Sequence, residues 1–223
     1  MSHYHEILKQ IKENDANEFL VLDHKQGKIS LRIVNDHEKN VIKLLSKWRK
    51  IYRNMFGTVF EVSEKRTKVW IKKNILDNPN CILFLIYVNE KMVGNVGIDN
   101  YDEKSNSVEL ENYMKDPEFD FPGLMTIIER PFLKWIFEGL KVSKITTHIF
   151  SDNYKMLNIH ARCGGWKTTD AIPLKRVITS DGWKWEKVRL KKDELGERYY
   201  HRLEITRENF LKFNKDVKYK IAF

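Results

Sequence analysis

The sequence predicts a mixed α/β (α+β) fold built around an antiparallel three-strand meander. Cys81 to Val88 is an apolar run of strand length, and two more strands follow it after short polar connections. Segments with helical periodicity stand on both sides of this meander in the chain. No Gly-x-Gly-x-x-Gly or Walker-type loop follows a strand, which argues against a fully parallel nucleotide-binding sheet.

The segments before the meander are predicted as a helix, a strand pair and two more helices. Asp36 and Ser63 are suited to cap the latter two helices, because each places a side-chain oxygen before an apolar periodic segment. In both helices the apolar side chains recur every three or four residues, which is typical of a buried stripe. The predicted elements are a helix over Tyr4 to Lys12, strands over Phe19 to Asp23 and Ile29 to Val34, and helices from Asp36 to about Met55 and from Ser63 to about Leu76.

The meander and the segments that follow it complete the order. Pro131 falls inside the long helix after the meander, and we expect it to kink or break that helix near Ile127, since proline has no N–H to donate. The charged stretch from Glu194 to Tyr200 is left without assigned structure. The predicted elements are strands over Cys81 to Val88, Met92 to Asp99 and Ser107 to Met114, a helix from about Leu124 to Leu140, a strand over Lys144 to Phe150, a helix from about Asn153 to Cys163, a hairpin of Thr168 to Ile178 with Trp183 to Leu190, and a short helix at Thr206 to Phe213.

Composition and charge exclude several classes of protein. The chain has 223 residues, which suits one domain with added ends, and no apolar stretch approaches the roughly 18 residues of a membrane span. The N-terminus lacks the apolar core of a signal peptide, so a cytoplasmic location is expected. Two cysteines and seven histidines show no metal-ligand spacing, and no metal is predicted.

The net charge of +9 favours a phosphate-bearing partner. Nucleic acid, CoA and a nucleotide-linked substrate all satisfy that description. The lysines are spread along the chain, and no helix-turn-helix, zinc or RNA-binding signature accompanies them, so nucleic-acid binding is the alternative and not the leading interpretation.

The segment Asp120 to Met125, with Gly123 inside it, lies between the third meander strand and the long helix. It resembles the pyrophosphate loop of the GNAT superfamily of acetyl-CoA-dependent N-acetyltransferases. The family pattern Arg/Gln-x-x-Gly-x-Gly/Ala lies between a meander strand and a long helix, where this chain has Asp120 to Met125. Gly123 matches the central glycine, whereas Asp120 and Met125 depart from the other two positions. The Pro-Gly-Leu-Met sequence is similar to that of members found in surface-polysaccharide pathways.

A second segment, Asn153 to Gly164, resembles the family's helix Asn-x-x-Ala-x-x-Leu-Tyr-x-Lys-x-Gly-Phe. Asn153 and Gly164 match, His160 stands in place of the tyrosine, and Met156 stands in place of the small residue. The resemblance covers roughly Ile29 to Leu190. It implies a mixed, mostly antiparallel central sheet with helices on both faces, formed by residues 29–190, with an N-terminal extension at 1–28 and a charged C-terminal extension at 191–223.

The resemblance also implies acetyl-CoA as co-substrate. The amides of a helix's first turn lack intrahelical acceptors, and the helix dipole favours an anion there, so they suit a pyrophosphate. The residues implied to bind the co-substrate are Phe121, Gly123, Leu124, Met125, Thr126 and Asn153. An ordinary proline-glycine helix start and a simple N-cap at Asn153 are the alternative interpretations.

The acceptor amine must lose a proton, which requires a general base. Glu109 and Glu111 lie on one face of the third meander strand because side chains alternate, and Glu109 is the preferred base. His160 is the predicted proton donor for the leaving thiolate. The alternatives are a solvated strand face for the glutamates and a packed or capping role for the histidine.

The resemblance to polysaccharide-pathway members suggests the amine of a nucleotide-linked deoxy-amino sugar as acceptor. Trp48, Tyr52, Arg53 and Trp70 are the predicted substrate-binding residues, since aromatic and basic groups suit a sugar nucleotide. Core packing is the competing interpretation for Trp48 and Tyr52. Another amine (a protein N-terminus, an amino acid or an antibiotic) and a CoA-binding protein without turnover stay open, and a homodimer is compatible with the sequence.

Overall fold

The computed structural model describes residues 2–14 and 18–222, and the remaining positions of the predicted extensions, 1, 15–17 and 223, lie outside the described residues. Within them, the helices are α1 His3–Glu13, α2 Lys39–Ile51, α3 Glu64–Trp70, α4 Leu124–Gly139, α5 Tyr154–Cys163 and α6 Arg207–Asn214, with a short 3-10 turn at Arg53–Met55 and a π-helical continuation of α3 at Ile71–Leu76. The strands are β1 Leu20–His24, β2 Gly27–Ile33, β3 Thr58–Phe60, β4 Ile82–Val88, β5 Lys91–Asp102, β6 Ser107–Lys115, β7 Lys144–Phe150, β8 Lys167–Thr179, β9 Gly182–Lys187, β10 Arg198–Thr206 and β11 Lys220–Ile221.

All these strands form one sheet in the order β11-β1-β2-β4-β5-β6-β7-β10-β8-β9-β3. The strand pairs are antiparallel except β6 with β7, which run parallel. The predicted meander is confirmed as β4, β5 and β6, and the fold class is confirmed as a mixed, mostly antiparallel sheet with helices.

Helices cover both faces of the sheet, and each face has its own core. Tyr4 of α1, Phe132 of α4 and Phe210 of α6 belong to the first core cluster. Trp48 of α2 and Ile71 after α3 belong to the second cluster. Strand β4 contributes to both clusters, because its alternate side chains point to opposite faces, and this explains its uninterrupted apolar sequence.

Two helix starts differ in how well the sequence predicted them. Ser63 caps α3 as predicted, since its side chain accepts the N–H of Arg66. The prediction for Asp36 was wrong, because α2 begins at Lys39. The side-chain oxygen of Asn35 accepts the N–H groups of His37 and Glu38 instead and holds the chain in a turn before the helix starts.

Pro131 was predicted to kink or break its helix, and the structure shows no break. Helix α4 runs as one element from Leu124 to Gly139, and Pro131 is buried on its core side. The apolar side chains of this helix are buried on both sides of the proline, including Ile128 and Phe132. Burial of that stripe outweighs the one hydrogen bond that proline removes.

The largest difference between the predicted and the observed elements lies in the C-terminal segment. Arg198–Thr206 forms strand β10, which lies between β7 and β8 within the sheet, although part of it was left unassigned from the sequence. Its charged side chains concealed the pattern, because they meet partners of opposite charge, as Arg198 does with Asp152 at 2.7 Å. Leu203 and Ile205 are buried in between. The predicted short helix that follows is confirmed as α6.

No helix among the described residues is long and apolar enough to cross a membrane.

Candidate active site

The parallel strands β6 and β7 separate part of the way along and form a fork. Their register holds only where Ser107–Glu109 faces Lys144–Thr146. Beyond this point β6 stays bonded to β5, whereas β7 stays bonded to β10. At the apex the hydroxyl of Thr147 donates to the carbonyl of Leu110 at 3.0 Å. The fork opens the middle of the sheet.

A β-bulge in β6 directs side chains to the two sides of this fork. Asn112 has a φ of 53°, and the pairing with β5 shifts around it. The buried amide of Asn95 donates to the carbonyl of Asn112 and holds the bulge. As a result Glu111 faces the α2–α3 side of the sheet, while Tyr113 faces α4 and donates to the carbonyl of Met125 at 2.6 Å.

On the α4 side of the sheet lies a cleft of about 230 Å³, which we call the donor cleft. It brings the loop before α4 together with one face of α5. Its lining consists of Lys115, Asp120, Phe121, Pro122, Gly123, Leu124, Met125, Thr126, Asn158, Ile159 and Arg162. The loop residues predicted to bind the co-substrate all lie here.

The backbone at the start of α4 fits a diphosphate. Gly123 has a φ of 79°, and the space that a Cβ would occupy there is open. The first helical hydrogen bond runs from the N–H of Ile127 to the carbonyl of Gly123 at 3.0 Å, so α4 does not use the amides of Met125 and Thr126. Lys115 and Arg162 add positive charge to the same cleft, whereas exposed Asp120 lies at its rim.

Asn153 does not line the donor cleft. Its side-chain oxygen accepts the N–H of Met156 at 3.3 Å and caps α5. Capping by Asn153 fixes the start of the helix whose later turns, at Asn158 and Arg162, form the cleft wall.

On the opposite face of the sheet, carboxylates gather at the fork, and we call this region the acceptor face. Glu109 and Glu111 share that face, as predicted, and the side-chain amide of Asn100 donates to both, at 3.1 and 3.4 Å. Asp99 is the register partner of Glu109 on β5 and carries a third carboxylate. The three acidic groups come from two adjacent strands.

The two glutamates differ in protonation. Burial raises the pKa of Glu111 to about 7, and the charges of Glu109 and Asp99 add to the effect. Burial also raises the pKa of Glu109, but the hydrogen bonds from His148 and Asn100 oppose it, and that pKa lies below its usual value. Glu111 is therefore the carboxyl that exchanges a proton near neutral pH.

Sequence reasoning missed two side chains that complete the acceptor face. The Nδ1 atom of His148, on β7, lies 2.5 Å from a carboxylate oxygen of Glu109. The ring of Tyr200, on β10, lies 5.9 Å from that of His148 and stacks on Phe150 at 4.5 Å. Burial raises the pKa of Tyr200 to about 12. Strand alternation could have placed His148 beside the glutamates, but Tyr200 lies in the stretch left unassigned.

His160, the predicted proton donor, is fully buried between α4 and α5. Its Nδ1 lies 2.8 Å from a carboxylate oxygen of Glu129, and the indole N–H of Trp166 donates to the same oxygen at 2.8 Å. Among the described residues its Nε2 has no hydrogen-bond partner. The ring lies 6.1 Å from that of Tyr113, on the splayed arm of β6, so the imidazole is close to the fork but below the surface of the donor cleft.

The four residues predicted to bind the acceptor do not share one surface. Trp48 is fully buried in the second core cluster, and Trp70 packs against that cluster. Tyr52 is half-buried and donates to the carbonyl of Lys115 at 3.0 Å, near the end of β6. Arg53 is exposed on the short turn after α2. Trp48 supports the acceptor face from inside and offers no surface to a substrate.

No group of three or more histidine, cysteine, aspartate or glutamate residues in the described part of the chain is placed to hold a metal ion.

Comparisons with known proteins agree with this geometry. The family model described as an acetyltransferase (GNAT) domain matches residues 28–165. No curated protein sequence matches the chain significantly.

Among solved structures, a spermidine N-acetyltransferase from Vibrio cholerae in complex with CoA and spermine has a TM-score of 0.64 at 17% identity, covering 84% of this chain and 99% of that one. RimJ from Mycobacterium smegmatis in complex with CoA-disulfide has a TM-score of 0.63 at 14% identity, covering 86% and 88%. RimL, a ribosomal L7/L12 alpha-N-protein acetyltransferase, has a TM-score of 0.62 at 12% identity, covering 87% and 97%. At these identities the likeness concerns the fold.

Proposed function

Since this chain belongs to the GNAT acetyltransferase family, we propose that it transfers an acetyl group from acetyl-CoA to the primary amine of a positively charged acceptor. The family membership makes it an acetyl-CoA-dependent N-acetyltransferase, and the donor cleft fits that co-substrate. The acceptor is the part that we infer from the charges around the fork.

The observation that supports a cationic acceptor is the electrostatic setting of Glu111. Its pKa is raised by burial and by two neighbouring carboxylates, and no cation among the described residues lowers it. Charges of one sign in a partly buried site repel each other by about a few kcal/mol at an effective dielectric constant near 20. An ammonium group placed among Asp99, Glu109 and Glu111 relieves that repulsion, whereas a diphosphate increases it.

Two of the similar structures are named for their acceptors. One is named a spermidine N-acetyltransferase and another a ribosomal alpha-N-protein acetyltransferase. A nucleotide-linked deoxy-amino sugar, the acceptor suggested by the Pro-Gly-Leu-Met sequence, brings its negative diphosphate to the acidic face. We therefore rank it below a cationic amine.

The donor cleft positions the other substrate through the backbone. Acetyl-CoA supplies an acetyl group activated as a thioester. The amides of Met125 and Thr126 are oriented to bind its pyrophosphate, and Lys115 and Arg162 compensate the negative charge. Because the cleft and the acceptor face meet at the fork, the two substrates approach from opposite sides of the sheet.

Within this proposal Glu111 is the general base. An efficient base titrates near the working pH, and the pKa of Glu111 is about 7, whereas that of Glu109 lies below its usual value. The preference for Glu109 in the sequence interpretation is therefore reversed. Glu109 keeps its charge at neutral pH and serves to hold the acceptor ammonium.

The test is a direct comparison of acceptors at equal concentration with saturating acetyl-CoA. We would follow thiol release and confirm the acetylated product by mass for spermidine, a peptide with a free amino terminus and a nucleotide-linked amino sugar. We expect acetylation of the cationic acceptors, with a KM that rises with ionic strength as their attraction to the acidic face is screened. A higher kcat/KM for the nucleotide-linked sugar would refute the cationic acceptor.

A further inference from the structure

We infer that His148 is a second proton acceptor of the reaction, held in its reactive orientation by Glu109. This inference rests on the proposed function, because it assigns a step to the same fork. Nothing in the sequence pattern had singled out this histidine.

The position of His148 mirrors that of Glu111. The last register pair before the fork opens is Glu109 with Thr146. Two residues further along each arm, on the same face, stand Glu111 on β6 and His148 on β7. An amine that enters the fork from the acceptor face therefore meets one titratable side chain on each arm.

The contacts of the imidazole define which nitrogen is free to take a proton. Nδ1 lies 2.5 Å from the carboxylate of Glu109, and Nε2 lies 3.5 Å from the ammonium of Lys187. An ammonium can only donate, so the neutral tautomer that suits both contacts has its lone pair on Nε2 and its hydrogen on Nδ1, where Glu109 accepts it. A carboxylate behind one nitrogen and a lone pair on the other is the arrangement of an imidazole base.

The surroundings keep this imidazole in place. The side chain of His148 is 20% exposed and that of Glu109 16%, so the pair is largely shielded from solvent. The ring of Tyr200 lies beside the imidazole, with 5.9 Å between the two ring centroids. An acceptor ammonium that enters the site takes the position of the Lys187 ammonium at Nε2. One cation replaces another, so the local net charge stays the same.

The chemistry of acetyl transfer requires two proton acceptors. A protonated primary amine has three N–H bonds and the amide product has one, so two protons leave the nitrogen as the C–N bond forms and the C–S bond breaks. Glu111 takes the first proton and frees the attacking lone pair, and Nε2 of His148 takes the second as the new bond forms. One of these protons ends on the sulfur of the released thiol and the other in solvent, so atoms and charge balance.

The test compares His148→Gln with the matched variant His201→Gln. His201 lies on the adjacent strand β10, is half-buried and pairs with Ile149, so its side chain belongs to the other face of the sheet. We expect His148→Gln to lower kcat by about 100-fold or more. The KM for acetyl-CoA, the affinity for CoA and the melting temperature should change little, and added imidazole should restore part of kcat. His201→Gln should keep wild-type kcat.

The outcomes separate the two proposals. If the wild-type chain acetylates no cationic amine, the proposed function fails. If the wild type is active and His148→Gln keeps more than about a third of its kcat, the second proton acceptor is refuted while the proposed function stands. Should His148→Gln fail to fold, Lys187→Met provides a second measurement: the acceptor no longer has to displace an ammonium, so we expect its KM to fall at unchanged kcat, and an unchanged KM would contradict the exchange.

Discussion

The donor cleft and the acceptor face are the two sides of one fork, but the chain builds them in different ways. The cleft is formed by the end of β6 at Lys115, the loop before α4 and one face of α5, and relies on backbone amides. The acceptor face uses side chains from separate strands, among them Glu111, His148 and Tyr200. The first region is local in sequence and positive, and the second is assembled over long range and negative.

This difference explains why the two regions tolerate change differently. A backbone site depends on conformation, so most side-chain replacements in the loop preserve it. A side-chain site depends on each charge, and one replacement removes a functional group. We therefore expect substitutions on the acceptor face to affect kcat strongly and substitutions in the donor cleft to affect CoA affinity modestly.

The largest effect is expected for Glu111→Gln. The amide has nearly the same shape as the carboxyl but cannot take up a proton, so kcat should fall by about 100- to 1,000-fold. CoA affinity, measured by calorimetry, should stay within about twofold, since Glu111 faces away from the donor cleft.

The matched control for that variant is Glu186→Gln. Glu186 is an exposed glutamate on β9 whose carboxylate contacts Lys184 at 2.6 Å. Removing it should leave both kcat and CoA affinity at wild-type values. A Glu111→Gln enzyme with near-normal kcat would show that the base lies elsewhere, and equal losses of kcat and CoA affinity would show that the two sides of the fork are not separable.

The same difference between the two regions determines which site residues could be predicted from the sequence. The donor loop and the Asn153 helix are each contiguous in sequence, so their pattern indicated the family. The loop residues predicted to bind the co-substrate line one cleft; they are Phe121, Gly123, Leu124, Met125 and Thr126. The face shared by Glu109 and Glu111 followed from strand alternation. Tyr200 was missed because its proximity to the glutamates depends on the insertion of β10 beside β7, and His148 was missed because its proximity depends on the pairing of β7 with β6. No periodicity within one segment encodes that pairing.

Trp48 and His160 show what a local sequence pattern does not predict, which is the surroundings of a side chain in the folded protein. Helical spacing identified Trp48 as part of an apolar stripe, but only the structure shows that the stripe buries it completely. His160 was aligned with a family tyrosine, yet its ring turns to the buried carboxylate of Glu129. A motif gives the position of a residue along a helix, whereas its partners on neighbouring helices decide where its polar atoms point.

The next largest effect is expected at Gly123, in the donor cleft. Alanine at a φ of 79° costs about 1–2 kcal/mol, and its Cβ occupies the open space from which a phosphate approaches the amides. We expect Gly123→Ala to weaken CoA binding about tenfold, measured by calorimetry. Its kcat at saturating acetyl-CoA should stay near the wild-type value.

Gly123→Asn separates the two causes. Asparagine adopts positive φ at little cost. The melting temperature of Gly123→Asn should therefore be closer to that of the wild type than the melting temperature of Gly123→Ala is. Its side chain still crowds the approach, so CoA binding should stay weak. If both variants bind CoA like the wild type, the loop amides do not hold the pyrophosphate.

A smaller effect is expected for Arg162→Gln. Arg162 is exposed on α5 and lines the cleft, so its charge is partly screened by solvent. We expect CoA affinity to fall about three- to tenfold at low salt, with a smaller difference at high salt. Lys155→Gln, on the same helix but outside the cleft lining, should change neither value. Equal losses for both variants would mean that only the net charge of the helix matters.

The smallest expected effect is a displacement of the pH profile by Glu109→Gln. Glu111 acts as a base only when deprotonated and its pKa is about 7, so wild-type kcat/KM should rise as the pH rises through about 7. The negative charge of Glu109 is one cause of that raised pKa. The amide removes the charge, so the midpoint should move to lower pH, by about one unit for a neighbouring charge near the protein surface.

In this variant the maximum of the pH profile and the midpoint of the pH profile report different effects. Glu109→Gln also weakens the support of His148, so its maximal rate should fall. The midpoint responds to the charge that Glu111 experiences. Asp99→Asn should shift the midpoint in the same direction by less, because Asp99 is the weaker of the two carboxylate causes. A midpoint that stays at about 7 in both variants would mean that the carboxylates do not interact. The contrast between a positive donor cleft and a negative acceptor face would then lose its electrostatic basis, although the fork that joins them would remain.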